Sequence, residues 1–245
     1  MFIDVHCHLD MLENQEQALN NMRKSKVICI TQGTNTLSNK KALKLSEENK
    51  EVKSALGIYP IEALKMSDKE INLELEFIKK NKEKIVAIGE VGLDFKEDLE
   101  QHSKQEELFK KFIKLSKELD IPIIIHSRKA ELKCIEILEE LKATKVIMHC
   151  FSGKIHLAKR ITDNNWFLTI PTSVKNSEHF QNIIKQTPLE KLFCETDSPY
   201  LHPDKQWPNE PSNVIESYKK IAEIKKLDLK EVEKQLEENY NLLLQ

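Results

Sequence analysis

The sequence predicts an α/β fold: a single (β/α)8 barrel of the TIM type with an additional C-terminal helix. Three observations carry that expectation. Eight short apolar runs alternate with Lys/Glu-rich amphipathic stretches along the 245 residues. Such barrels typically take about 250 residues. Five of the eight runs end in a side chain able to hold a metal ion, and the C-terminal strand ends of a parallel barrel share one face.

The elements follow in order. FIDV (2–5) opens the chain, and KVICI (26–30), VKSALGI (52–58) and IVAIG (85–89) complete the first half. IPIIIH (121–126), KVIMH (145–149), WFLTI (166–170) and KLFCE (191–195) form the second. Continuous apolarity with β-branched residues suits strands buried on both faces, as in parallel sheets. Helical spacing predicts helices near 15–24, 38–49, 69–82, 104–119, 130–141, 154–164, 177–187 and 211–226, and a last one near 228–243. In 104–119, Leu108, Phe112, Leu115 and Leu119 fall on one side while Lys and Glu cover the other. A doubly wound open sheet is the competing layout. No linker or composition break divides the chain, so residues 1–245 are read as one domain.

Composition excludes several classes. The net charge of -2 argues against a purely electrostatic nucleic-acid binder, though not against an enzyme that reads phosphate locally. Five widely spaced cysteines without a CxxC pair suggest neither a disulfide framework nor a thiolate zinc site. Reduced thiols fit a cytoplasmic protein. No signal peptide and no membrane span is expected.

The strand ends hold the chemistry. The first run leads into His6 and His8, which alternation turns the same way while Cys7 turns the other. The fourth run leads to Glu90, the fifth to His126, the sixth to His149 and the eighth to Asp197. A single histidine or glutamate in such a place is more often structural, but six on one face point to a centre. Four imidazoles and two carboxylates exceed one tetrahedral site. They suit two divalent ions roughly 3.5–4 Å apart, with Glu90 as a bridge. Imidazole-rich ligation fits Zn, Fe, Ni or Mn better than a pure Mg site. Asp197, at the rim, is positioned to take a proton from the attacking water, so Asp197 and Glu90 are the candidate catalytic residues.

Arg128 and Ser152 are the candidate substrate contacts near these ends. Arg128 is one of only three arginines, and its planar fork matches phosphate. The turn His149-Cys150-Phe151-Ser152-Gly153 leads into a helix, and its N–H groups could hold an oxyanion. Asp4 and Glu195 share parity with the metal donors and are expected lower in the barrel. Cys7, Cys150 and Cys194 are expected to pack outward or into the core. His102, His156, His179 and His202 are read as surface residues.

The stretches Asp4-Val5-His6-Cys7-His8-Leu9-Asp10, Gly89-Glu90-Val91-Gly92-Leu93-Asp94, Pro122 to Arg128, His149 to Gly153, and Glu195-Thr196-Asp197-Ser198-Pro199-Tyr200-Leu201 followed by Asn209-Glu210-Pro211 together resemble the TatD-type metal-dependent deoxyribonucleases of the amidohydrolase superfamily. The resemblance runs in the family's order over nearly the whole chain. It implies a (β/α)8 barrel with one ion on His6, His8, Glu90 and Asp197 and another on Glu90, His126 and His149. It implies phosphodiester hydrolysis, often 3′-to-5′ on DNA with single strands or 3′ ends as substrate, in the cytoplasm, with no obligate protein partner evident. Two departures stand out. Tyr59 occupies a position where the family usually has a histidine approaching the phosphate, which makes Tyr59 a candidate substrate contact. The segment Asp204-Lys205-Gln206-Trp207-Pro208 stands where the family is usually basic with arginine. The alternative enzyme is an amidohydrolase acting on an amide, lactone or small ester with the same metals. A non-catalytic binding protein is disfavoured by retention of all six donors.

Overall fold

A computed structural model describes residues 1–244. Eight strands run parallel in chain order: β1 Phe2–Cys7, β2 Val27–Gln32, β3 Val52–Leu56, β4 Ala87–Gly92, β5 Ile123–His126, β6 Val146–Met148, β7 Phe167–Pro171 and β8 Leu192–Glu195. The helices are α1 Gln15–Ser25, α2 Thr36–Glu48, α3 Pro60–Leu64, α4 Asp68–Lys80, α5 His102–Leu119, α6 Glu131–Glu140, α7 Ile155–Asp163, α8 Glu178–Gln186, α9 Ile215–Lys225 and α10 Leu229–Leu244. This is the expected barrel with its extra C-terminal helix, not an open doubly wound sheet.

Two apolar layers hold it together. The inner layer takes Ile3 and Val5 from β1 and one residue from every other strand: Ile30, Ala55, Ala87, Ile124, Ile147, Phe167 and Phe193. Tyr240 and Leu244 of α10 pack against it, so the last helix closes the barrel floor. The outer layer joins the alternate strand residues, such as Cys29, Ile88, Ile125, Met148 and Cys194, to the helices. In α5, Leu108, Phe112, Leu115 and Leu119 are all buried, as the spacing predicts.

The seam between β8 and β1 is not a continuous ladder among the described residues. Two backbone bonds close its upper end, Asp197 N–H to His6 O (2.9 Å) and His8 N–H to Ser198 O (2.7 Å). Side chains close the rest. The buried Asp4 carboxylate accepts from Thr196 N (2.9 Å), Thr196 Oγ1 (2.5 Å) and His6 N (3.2 Å). The Tyr218 hydroxyl of α9 accepts from Ile3 N (3.0 Å) and donates to Ile3 O (3.3 Å). Backbone groups that lack a strand partner are thus satisfied by buried polar side chains.

Some boundaries differ from expectation. β4 starts later and runs through Glu90 to Gly92, because a bulge between Ile88 and Val91 keeps the extra residues in the strand. β3 stops at Leu56, two residues early, and Pro60 then opens the short unpredicted helix α3. No described helix is long and apolar enough to cross a membrane.

Candidate metal centre

Two bulges aim the donors. In β1, Ile3 and Val5 belong to the inner layer, yet His6 and His8 face the cavity above it. The pairing register shifts between Asp4 and Cys7, and that bulge reverses the alternation. Asp4 therefore does not lie in line beneath the histidines, as simple parity suggested; it turns to β8 instead. Gln32 of β2 steadies the irregular stretch, its amide donating to Val5 O (3.2 Å) and Ile30 O (3.2 Å). In β4, Gly92 stands just past the bulge, with a φ of +141°. A Cβ there would lie 2.0 Å from the His126 carbonyl oxygen, so only glycine lets β4 pass β5 at this point.

The first donor group joins β1, β4 and the turn after β8. His6 Nε2 lies 3.6 Å from both Glu90 Oε2 and Asp197 Oδ1. His8 Nε2 lies 3.4 Å and 3.5 Å from the same two atoms. An ion bound to nitrogen at about 2.0–2.1 Å in a tetrahedron separates its ligands by about 3.4 Å. The spacing thus suits a shared ion better than direct hydrogen bonds. His6 Nδ1 and Nε2 and His8 Nδ1 are buried without a hydrogen-bond partner among the described residues. An orphaned buried nitrogen is costly, and a metal ion would relieve that cost at Nε2. The residues therefore fit a divalent cation. Burial and the neighbouring His149 lower the His6 pKa, keeping its lone pair available. Burial works against protonation of His8 too, but Asp197 and Glu90 outweigh it and raise its pKa.

The second group joins β4, β5 and the end of β6. His149 Nε2 lies 3.5 Å from Glu90 Oε1, while His126 Nδ1 has closed to 2.7 Å on the same oxygen. Each imidazole is backed by a buried carboxylate. His149 Nδ1 donates to Glu195 Oε2 (3.0 Å), and His126 Nε2 donates to Asp94 Oδ2 (2.9 Å). Such partners fix the tautomer and ring orientation of a ligating histidine. Burial disfavours the His149 cation, but Glu195 and Glu90 prevail and push its pKa up to about 10. Asp94 and Glu90 likewise overcome burial and raise His126. Glu90 is held well below the usual carboxylate range: burial opposes this, and the bond to His126 with the nearby His6 imidazole decides it. The His6 and His149 rings stack at 3.6 Å, joining the two groups.

All six predicted donors thus surround one space, which opens into a cavity of about 730 Å³. Arg128, Tyr59 and Ser152 line that cavity, and none is free of other duties. Arg128 Nη1 reaches Glu97 (3.1 Å). Ser152 Oγ donates to Glu131 (2.9 Å). Tyr59 donates its one hydroxyl proton to Asp94 Oδ2 (2.7 Å). In the turn after β6, Cys150 N already donates to Thr169 Oγ1 (2.8 Å), which removes one of the N–H groups expected for an oxyanion. Cys7 and Cys194 lie in the outer layer as expected, and Cys150 packs against that layer while also lining the cavity. Glu195 sits behind His149, as parity suggested.

Asp94 was missed. Its Oδ2 gathers His126 and Tyr59, and its Oδ1 accepts from the N–H groups of Lys96 and Glu97 (2.9 Å each). The one signal was its place in the stretch Gly89 to Asp94, four residues past Glu90.

Comparison with known proteins is consistent with this geometry. The family model for the TatD related DNase matches residues 3–245. The chain is 34% identical to human "Deoxyribonuclease TATDN3" over 245 residues, covering 94% of this chain and 89% of that protein. It is 37% identical to "Uncharacterized metal-dependent hydrolase MJ1582" of Methanocaldococcus jannaschii, covering 94% and 92%. Among solved structures, the Escherichia coli TatD homolog YJJV superposes with a TM-score of 0.93 at 26% identity, covering 99% of this chain and 97% of that one.

Proposed function

Because the chain belongs to the TatD related DNase family, we propose that it is a metal-dependent hydrolase of phosphodiester bonds in DNA, acting from 3′ to 5′ with two divalent ions. The observation that carries the reading is the first donor group: two imidazole nitrogens each 3.4–3.6 Å from two carboxylate oxygens, with His6 Nε2 buried and unpartnered. The ions would be Zn, Mn, Mg, Ni or Fe, the first on His6, His8, Glu90 and Asp197, the second on Glu90, His126 and His149. Bound there, they supply a lowered pKa for water and a positive clamp for phosphate oxygens.

The protein's own part is orientation and proton transfer. Glu90 directs one oxygen to each group and so keeps both at a fixed separation. Glu195 holds the proton on His149 Nδ1 and leaves Nε2 to face the centre. Asp197 turns Oδ1 to the two imidazoles, and its Oδ2 takes the proton of the attacking water. Burial disfavours the Asp197 anion, but His8 and the nearby His149 and His6 imidazoles lower its pKa, so it starts as the base. Arg128 swings from Glu97 to a phosphate oxygen, and Tyr59 and Ser152 exchange their bonds to Asp94 and Glu131 for substrate along the wall. Five free cysteines fit a cytoplasmic site of action.

The test is to reconstitute the protein with each metal in turn and offer end-labelled single-stranded DNA beside p-nitrophenyl phosphodiesters and amides. Metal-dependent shortening of the DNA from its 3′ end is expected. Turnover of amides with intact DNA would overturn the reading in favour of the amidohydrolase branch.

A further inference from the structure

Beside the metal donors lies a pair of aromatic rings that the chemistry above does not use. Tyr200 is 49% exposed and Trp207 68% exposed. Their ring centroids are 5.7 Å apart and the planes tilt by 59°. The chain's other tryptophan behaves as a structural one: Trp166 is 1% exposed and donates its indole N–H to Ala143 O (2.9 Å). Trp207 instead leaves most of its surface in water, against Tyr200, which itself lines the cavity.

The loop that presents these rings is pinned at several points. Tyr200 N donates to Asp197 O (2.8 Å), so the tyrosine hangs one turn beyond a metal donor. Asn209 N donates to Pro199 O (2.9 Å) and folds the loop back on its start. The fully buried Asn209 amide donates to Thr172 Oγ1 (3.0 Å) and Thr196 O (2.9 Å). Thr172 and Asn176 donate to the carbonyls of Leu201 and Pro203 (2.7 Å each). Lys175 is engaged by Asp204 (2.6 Å), so this edge offers little free positive charge beyond Lys205.

We infer that Tyr200 and Trp207 form a stacking platform for a nucleobase of the single strand whose phosphate enters the cavity, an inference that rests on the nuclease reading above. Four points favour a base as occupant. The platform is continuous with the cavity that holds the metal donors. Its rings are flat and largely free of other contacts. Its loop is fixed in advance, which lowers the ordering cost of binding. Base–aromatic stacking also tolerates any sequence, as a degrading enzyme requires.

The experiment uses metal-loaded protein and two single-stranded oligonucleotides, one intact and one with abasic residues replacing its 3′-terminal nucleotides. Stacking of one base contributes enough for about a tenfold change in affinity. Trp207→Ala should raise KM for the intact strand about tenfold, the loss falling on KM more than on kcat. Abasic substitution should cost the wild type a similar factor and the variant nothing further. Trp207→Phe should recover much of the loss. Because Trp166 is buried, quenching of the exposed Trp207 emission by the intact strand, and not by the abasic one, reports the contact directly. Equal penalties for abasic substitution in wild type and Trp207→Ala, or no quenching, overturn the platform while leaving the nuclease reading intact. A wild-type protein that hydrolyses p-nitrophenyl phosphodiesters but neither binds nor cuts any oligonucleotide overturns both.

Discussion

The two halves of the donor cluster share Glu90 and little else. On the side of β1 and β8, the His6 and His8 Nε2 atoms each stand 3.4–3.6 Å from Glu90 Oε2 and Asp197 Oδ1, and three imidazole nitrogens there are buried without partners. On the side of β5 and β6, His126 closes on Glu90 at 2.7 Å, and both imidazoles are tied to buried carboxylates. The first half is spaced for an ion by its backbone, through the β1 bulge and the seam. The second half is spaced by side-chain hydrogen bonds, in which a proton can do part of an ion's work. The difference teaches that the side chains of one cluster can be positioned by two routes, with different sensitivities.

The comparison breaks most plainly at Asp197. If it both supports the first half and accepts a proton, Asp197→Asn should keep at least one ion per chain, still bind DNA, and cleave on the order of a hundredfold more slowly. Metal analysis with single-turnover cleavage checks this. Near wild-type cleavage with full metal would remove the proton-acceptor role.

A smaller effect should separate the halves by their supports. Loss of a carboxylate behind a ligating histidine typically costs 10–100-fold in metal affinity. Asp94→Ala and Glu195→Ala should therefore each weaken the binding of one ion by roughly that factor and leave the other ion in place. Titration of the variants with metal, read by calorimetry, is the measurement. Equal weakening of both ions would mean that the halves are not independent.

The mildest test is pH. His149 is raised to about 10 and His126 is raised as well, so an ion entering the second half displaces protons from them. In the first half only His8 is raised, while His6 is lowered and yields its lone pair more readily. Affinity in both halves should rise with pH, because the protonated imidazole is the competitor. The second half should gain about tenfold per pH unit for each proton released. A weaker dependence there than in the first half would contradict the assignment.

Most of the fold was legible because burial on both faces of a parallel sheet leaves continuous apolar runs, and KVICI or IPIIIH can hardly be anything else in that alternation. The convergence of the six residues on one space was legible because each stands at the end of its run or within three residues of it, so sequence position encodes height in the barrel. Asp94 was not. It lies beyond β4 in a loop, and its importance comes from Tyr59 and His126, partners 35 and 32 residues away in the chain. The bulges in β1 and β4 were also hidden, since a one-residue shift in register leaves no mark on composition. Parity alone therefore put Asp4 under the histidines, when the seam needed it elsewhere.

The packed floor of the barrel has a consequence for traffic. Tyr240 and Leu244 press on an interior already filled by a side chain from every strand. The molecule is a cul-de-sac. Whatever enters the cavity leaves through the mouth by which it came in, and no polymer can be threaded from one side of the barrel to the other.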